Sequence, residues 1–388
     1  MSWRWPMVKI DSIRADTRYS LVGGPFGSNL TTRDYADDGV PVIRGTNLLE
    51  EREFEDAGFV FVAEDKANAL TSNLAYPGDV VFTQRGTLGQ VGIIPTTARF
   101  QRYVISQSQM KLTVNEELAN ARFVYYFFRH PNTVQEIKNR SIASGVPHIN
   151  LGILKEFNIP LPPRPVQDAI VEILSSYDNL IENNRRRMAL LEESAHLLYR
   201  EWFVYLRFPG YEHTPNVDGV PQGWVCKPLS ESITLNYGKA LKAELRVDGD
   251  YPVYGSSGIV GTHEKPLVKG PAIILGRKGN VGSVYWSSKS FHPIDTVYFV
   301  NTESSSLYLF YALKNMYFIS TDVAVPGLNR DFAYSRLLLH PPITLLRSFH
   351  ETVEPIHSQL DKLEEVNQKL RAARDLLLPR LMSGELAV

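Results

Sequence analysis

One short phrase occurs twice in this chain, and it is the strongest constraint on how the chain can fold. Residues 277–284 read RKGNVGSV and residues 85–92 read RGTLGQVG, so that Lys278-Gly279-x-Val281-Gly282-x-Val284 falls on Arg85-Gly86-x-Leu88-Gly89-x-Val91. Further matches follow in the same order. Trp5-x4-Ile10 meets Trp224-x4-Leu229, Pro41-Val42-Ile43 meets Pro252-Val253-Tyr254, and Val114-Asn115 meets Val300-Asn301. Then VPHIN (146–150) meets VPGLN (325–329), and Pro162-Pro163 meets Pro341-Pro342. The separations fall steadily through 219, 211, 193, 186, 179 and 179, as collinear copies with loop deletions in the second would give. The period is far too long for a solenoid repeat, so a whole domain is duplicated in tandem.

Each Pro-Pro pair is followed by a run of helical period. Apolar residues recur at 166, 170, 173, 177, 180, 188, 191, 195 and 198, with Asn184 in the gap. The second run gives Leu345, Phe349, Val353, Ile356, Leu360, Leu363, Asn367, Leu370 and Leu377. A helix of this length spans roughly 50 Å, more than a compact domain covers, so its apolar stripe needs another helix and the obvious partner is its twin. The order domain, helix, domain, helix predicts antiparallel pairing, with one domain at each end of the rod and a pseudo-twofold axis. Expected boundaries are a first domain over 1–163, a helix over 164–203, a Pro- and Gly-rich connector over 204–220, a second domain over 221–342, a helix over 343–380 and a tail over 381–388. Strand-like runs such as DVVFT (79–83), QMKLTV (109–114), PAIIL (271–275) and TVYFV (296–300) are separated by glycine turns. Each copy also carries one helix at its aromatic run, 123–128 and 307–313. The expected class is α+β: two tandem repeated α+β domains, separated and followed by long helices that form an antiparallel coiled coil.

Composition narrows the function by exclusion. With 388 residues and 44% apolar content the chain can bury a sizeable core. A single cysteine, Cys226, excludes an internal disulfide and a thiolate-rich zinc site and fits a reducing cytoplasm. The N-terminal MSWRWPMVKI has no apolar signal core, and the densest apolar runs are far short of a bilayer span. The net charge of −1 means that any nucleic-acid contact must use local patches or share the phosphates with a partner.

No catalytic constellation is visible. There is no GxxxxGK[ST] phosphate loop, no HExxH, no GxSxG elbow and no histidine pair at metal spacing. GRKGNVG (276–282) is either a tight β-turn with glycines at positive φ or a ligand-contacting loop. The acidic run Glu50-Glu51-x-Glu53-x-Glu55-Asp56 reads as a solvated surface strip rather than a metal site. Arg185-Arg186-Arg187 lies mid-helix, where three successive residues cannot share a face; it serves as exposed coiled-coil flank or touches phosphates.

Several phrases carry a family resemblance: GGPFGSNL (23–30), GVPHIN (145–150), IPLPP (159–163), LYREWF (198–203) followed by RFPGYE, VPQGW (220–224), YPVYGSSGIVG (251–261), GRKGNVGSV (276–284) and LLLPRLMSGEL (376–386). With the duplication and the two seam helices, the chain resembles over essentially its whole length the DNA-specificity subunit of type I restriction-modification systems. The resemblance implies two target recognition domains, each reading one half of a bipartite site in double-stranded DNA. It implies a coiled coil that fixes their separation and docks two methyltransferase subunits, with restriction subunits as further partners. Those partners use S-adenosylmethionine to methylate adenine, and ATP and Mg²⁺ to translocate and cut. The specificity chain itself is expected to hold no catalytic residue, cofactor or metal and to work in the prokaryotic cytoplasm, away from any membrane. The rival expectations are a coiled-coil assembly scaffold or adaptor that does not touch DNA, and an enzyme whose site forms between the repeats.

A rod near 50 Å corresponds to roughly 15 base pairs, enough for two short sites and an unread gap. For base readout, polar side chains at matched loops are the candidates: Gln84, Arg85 and Thr87 with Arg277, Lys278 and Asn280, and His148 and Asn150 with Asn329 and Arg330. Ser28, Asn29, Arg44 and Lys239 are secondary candidates. Arg and Lys pair with guanine O6/N7 and Asn and Gln with adenine, whereas the glycines let backbone approach phosphate.

Overall fold

The structure, a computed structural model, describes residues 4–142, 146–318 and 327–388. Gly145, Val325 and Pro326 of the matched phrases lie outside them. The chain divides into two compact units, Met1–Asn184 with Val366–Val388, and Arg185–Glu365. Each unit therefore owns one end of both long helices.

In the first unit, strands Met7–Lys9 and Asn158–Pro160 pair antiparallel and draw the ends of the domain together. Between them lies an antiparallel sheet in the order Leu21–Gly23, Gln109–Leu112, Val80–Thr83, Val91–Ile93. Helix Ala121–Arg129 packs on it and buries Phe123, Val124, Tyr125, Tyr126, Phe127 and Phe128. Its start is fixed twice: the Asn120 side chain accepts from Arg122 N, and Asn120 N donates to Gln167 Oε1 at 2.9 Å. Gln167, fully buried, also donates to Pro162 O at 2.8 Å, which ties the long helix to the domain. A second sheet runs in the order Tyr35–Ala36, Val60–Val62, Val40–Ile43, Tyr103–Ile105, Leu74–Ala75, with Val40–Ile43 parallel to Tyr103–Ile105.

The second unit repeats this plan. Val225–Pro228 pairs antiparallel with Leu337–His340, and the main sheet runs Asn236–Tyr237, Val297–Val300, Ala272–Gly276, Val284–Ser287. Helix Leu307–Asn315 packs beside it. Tyr251–Gly255 runs parallel to His292–Pro293, as Val40–Ile43 does to Tyr103–Ile105. Register carries the equivalence to single residues: Met7 faces Pro160 as Cys226 faces Leu339, and Ile10 N donates to Phe157 O as Leu229 N donates to Arg336 O. Register also corrects one match. Val80 faces Leu112 where Ile273 faces Val300, so the counterpart of Val300 is Leu112, not Val114. A shift of two residues keeps every side chain on the same face of a strand, which is why the apolar pattern does not expose it.

The first long helix spans Arg164–Tyr199 and ends in a π-helical turn, Arg200–Val204; the second spans Ile343–Ser383, three residues beyond the expected 380. Glycine is absent from 164–209, and Pro165 sits in the first turn, where its missing N–H costs nothing. In the first unit Ile170 and Leu174 share a core with Leu378, Leu381 and Met382, Asp178 meets Arg374, and Asn184 meets Asn367. In the second, Ala195, Tyr199 and Phe203 share a core with Val353 and Phe349. One residue number climbs as its partner falls, so the helix ends pair antiparallel within each unit. The seam of the first helix runs through 170, 174, 178 and 181, with Ile173 packed at its margin, and leaves out Leu180: Ile181 is 2% exposed and Leu180 51%. The reason is Asp178, a charged residue in the seam that an apolar count steps over. No described helix is long and apolar enough to cross a membrane.

Candidate nucleic-acid interface

The two echoed phrases form the same turn and share its main backbone bonds. Gln84 N and Arg85 N both donate to Ser108 O at 2.8 and 3.4 Å; Arg277 N and Lys278 N both donate to Thr296 O at 2.9 and 3.0 Å. Leu88 N donates to Gly86 O as Val281 N donates to Gly279 O. Ile149 N donates to Gln84 O at 2.9 Å, and Leu328 N to Arg277 O at 2.8 Å. Arg85 bridges to His148 and Lys278 to Gly327. Each loop is therefore clamped between the residue just before strand Gln109–Leu112 or Val297–Val300 and the segment ahead of short helix Leu151–Lys155 or Arg330–Tyr334.

The glycines are required by geometry. Gly86 and Gly279 have φ of 99° and 81°, and Gly89 and Gly282 have 93° and 79°, all in the left-handed region where a Cβ is strained. Beside the loops, Gly24 and Gly238 let a carbonyl through: a Cβ would stand 2.0 Å from Ser106 O in one and from Ile294 O in the other.

The first loop presents Arg85 and Thr87 to solvent, and they line one open groove with Arg44, Thr46, Gln90 and Ser108. Arg44 is held there by its Nη2 donating to Gly58 O at 3.1 Å and its backbone N to Asn47 Oδ1 at 2.9 Å. Gln84 is tied sideways, its Nε2 donating to Gln107 O at 2.8 Å; Gln107 in turn donates to Gly27 O and, at 2.7 Å, to Leu30 O. That chain brings the exposed turn of Ser28 and Asn29 beside the first loop, with Phe26 at its start 88% exposed. His148 is half-buried, with Nδ1 at 3.2 Å from Val146 O.

In the second loop Lys278 and Asn280 are exposed and Arg277 is half-buried, its Nη1 donating to Asp295 O at 3.1 Å. Ser256 braces the turn: Oγ accepts from Asn280 N at 3.4 Å, and its carbonyl accepts from Ser283 Oγ at 2.6 Å and Tyr285 Oη at 3.1 Å. Lys239 is exposed at the edge, its carbonyl facing His292 Nε2 at 3.2 Å. Arg330 stacks on Tyr237.

Asn150 and Asn329 are a different matter. Each is the N-cap of a short helix: Asn150 Oδ1 accepts from Ile153 N at 2.9 Å, and Asn329 Oδ1 from Asp331 N at 2.7 Å. A bidentate pair with adenine uses both ends of the amide, and here the carbonyl end is engaged. Capping accounts for the recurrence of Asn at both positions. The acidic run is likewise partly turned inward: Glu53 pairs with Arg122 at 3.0 Å, and Asp56 accepts from Tyr103 Oη at 3.0 Å and Arg99 N at 2.7 Å. Of the Arg185–Arg187 triplet, Arg186 and Arg187 are exposed and Arg185 half-buried.

Tyr237, not among the candidates named from the sequence, lies here too. Its signal is Leu235-x-x-Gly238 against Leu21-x-x-Gly24, a further pair whose separation of 214 falls between 219 and 211. Register confirms it: Gly23 faces Met110 as Tyr237 faces Tyr298.

A duplicated α+β domain, each copy presenting a glycine-framed polar loop and carrying one end of an antiparallel helix pair, defines a tandem recognition protein. The sequence profile of the type I restriction modification DNA specificity domain matches residues 31–193 and 221–332, and the chain belongs to that family of DNA-recognising specificity subunits. It is 22% identical over 432 residues to the type I restriction enzyme MjaIX specificity subunit of Methanocaldococcus jannaschii, covering 99% of this chain and 94% of that one. It is also 22% identical over 373 residues to the HindI specificity subunit of Haemophilus influenzae, covering 73% and 81%. The S subunit of a type I restriction-modification system from M. genitalium has the same fold, with a TM-score of 0.55 at 18% identity over 98% of this chain and 96% of that one.

Proposed function

We propose that the chain is a non-catalytic specificity subunit in which each domain reads one half of a bipartite DNA site. The observation that carries this is the recurrence of one backbone-clamped turn in both units with different side chains: Gln84, Arg85 and Thr87 in one, Arg277, Lys278 and Asn280 in the other. An identical frame with different polar groups is what two readers of different half-sites require, because base edges are distinguished by donor and acceptor pattern. Arg44 is a groove companion of the first loop, with Ser28, Asn29 and His148 as its neighbours and Lys239 at the edge of the second. The paired helices dock two methyltransferase subunits, and the near-neutral net charge leaves much of the phosphate grip to them. Those partners supply S-adenosylmethionine-dependent adenine methylation; restriction subunits, where they join, supply ATP- and Mg²⁺-dependent cleavage.

The test is to map methylated adenine in DNA from cells carrying this chain with its methyltransferase. A bipartite motif with an unread spacer, lost when the chain is deleted, is expected. Methylation that does not depend on the chain overturns the proposal. More narrowly, Arg277→Ala or Lys278→Ala should relax one half-site only. Simultaneous loss of both halves would instead mark those residues as folding or general phosphate contacts.

A further inference from the structure

The second domain carries a stack that the first lacks. The Arg330 guanidinium lies over the Tyr237 ring at 4.2 Å and that of Arg277 lies over the same ring at 4.9 Å. Both also approach Tyr298, at 5.8 and 5.7 Å, and the two tyrosine rings are 5.1 Å apart. Tyr298 is anchored beneath, its hydroxyl donating to Leu328 O at 3.2 Å, so the platform rests on the segment that clamps the loop. Tyr237 itself is 51% exposed. Neither guanidinium is ion-paired to a carboxylate among the described residues; Arg277 commits Nη1 to Asp295 O and keeps its other N–H groups, and the buried Arg330 Nε has no hydrogen-bond partner among the described residues.

The equivalent trio in the first domain is Gly23, Gln84 and Leu151. They are neighbours too: a Cβ on Gly23 would stand 3.3 Å from Gln84 Oε1 and 3.9 Å from Leu151 Cδ1. The same three positions thus hold an aromatic platform with two cations in one copy, and a glycine, an amide and a leucine in the other. General phosphate binding gives no reason for a difference confined to one copy, whereas different half-sites do.

A guanidinium stacked on a ring has its face covered and its N–H edge left in a fixed plane. That is the geometry a bidentate pair with guanine O6 and N7 needs, and it spares the rotamer freedom that an unsupported arginine loses on binding. We propose that Tyr237, Arg277 and Arg330 form a guanine-reading clamp, with Tyr237 as the positioning residue and the arginines as the contacts. The clamp rests on the DNA-reading function proposed above. It predicts an obligatory G·C pair in the half-site served by the second domain, and none imposed by these positions on the other.

The experiment uses the full chain with its methyltransferase subunits and duplexes randomised over both half-sites, scored by adenine methylation. Wild type should require a guanine, on either strand, in the half-site that second-domain variants alter. Tyr237→Ala and Arg330→Met should each lower the preference for that base by roughly tenfold while the other half-site keeps its sequence requirement, which also reports a folded complex. Tyr237→Phe, which keeps the ring, should retain the preference. A wild-type half-site without a required G·C pair overturns the clamp, as does Tyr237→Ala weakening all sequences equally. In both of those outcomes the bipartite motif persists and DNA reading stands; a methylation pattern indifferent to deletion of the chain overturns both.

Discussion

Asn184 donates its side-chain amide to Asn367 Oδ1 at 2.8 Å between the paired helix ends of the first unit. Asn367 is fully buried, so Asn184→Leu takes one hydrogen bond from a desolvated amide. Asn184→Leu should cost about 1–2 kcal/mol in urea unfolding, and the double variant Asn184→Leu/Asn367→Leu should recover part of that loss, since it removes both polar groups of the bond. A double variant no more stable than the single one would show that the pair does not act as a unit.

Arg374 sits in the same seam with its side chain 5% exposed, its Nη1 at 2.5 Å from Asp178 Oδ1, while Asp178 Oδ2 accepts from Tyr126 Oη at 2.6 Å. Arg374→Met should destabilise the protein by about 3–5 kcal/mol, because it strands a buried carboxylate. Adding Asp178→Leu should restore part of it. Thermal or chemical unfolding of the two variants side by side decides the matter: equal stability of the single variant and wild type would refute the prediction.

His357 is the group with the clearest acid dependence. Burial, followed by the charges of Lys314 and His350, pushes its pKa down to about 4, and its Nε2 lies 2.9 Å from Tyr311 Oη against the rings of Trp286 and Phe310. Between that value and the ordinary one near 6.5, the unfolded chain binds a proton that the folded chain refuses. The stability it contributes is complete above pH ~6.5 and is lost as pH falls toward 4, by about 2 kcal/mol between pH ~7 and ~5. His357→Gln should show a correspondingly shallower decline in unfolding free energy over that range. Parallel curves for variant and wild type would rule His357 out as the source.

The glycines of the echoed turns can be ranked. A methyl on Gly86 meets nothing within 4 Å, so Gly86→Ala costs only the left-handed backbone penalty, about 1–2 kcal/mol. On Gly89 the methyl would stand 2.8 Å from Val134 Cγ1, and on Gly282 3.0 Å from Phe318 Cβ. Gly89→Ala should therefore destabilise more than Gly86→Ala, by roughly 1 kcal/mol or more. Unfolding midpoints in the reverse order would contradict this packing.

Much of the architecture was legible because duplication writes the same constraint twice. The Trp-x4 anchors, the Pro-Pro pairs and the glycine turns all occupy equivalent places in register. What escaped was what an apolar count cannot see. Asp178 and Arg374 satisfy each other in the seam, so a search for hydrophobic period skips that layer and drifts onto Leu180. Asn150 and Asn329 were legible as matched positions, but only the short helices behind them assign the side chains to capping. The candidate site was legible as loops and not as surfaces. Tyr237 lies forty residues before Arg277 and far more before Arg330, and the sheet register together with the Leu328–Arg277 backbone bond brings the three together.

The frame of the paired turns is made of backbone groups: amides of 84, 85, 88 and 149 in one copy, and of 277, 278, 281 and 328 in the other, each donating to a carbonyl. The letters at 84, 85 and 87, or at 277, 278 and 280, take no part in those bonds with their side chains. Rewriting them leaves this backbone frame intact, and only Gln84 and Arg277 would give up side-chain bonds, to Gln107 O and Asp295 O. The molecule separates the cost of holding a loop from the choice of what the loop says.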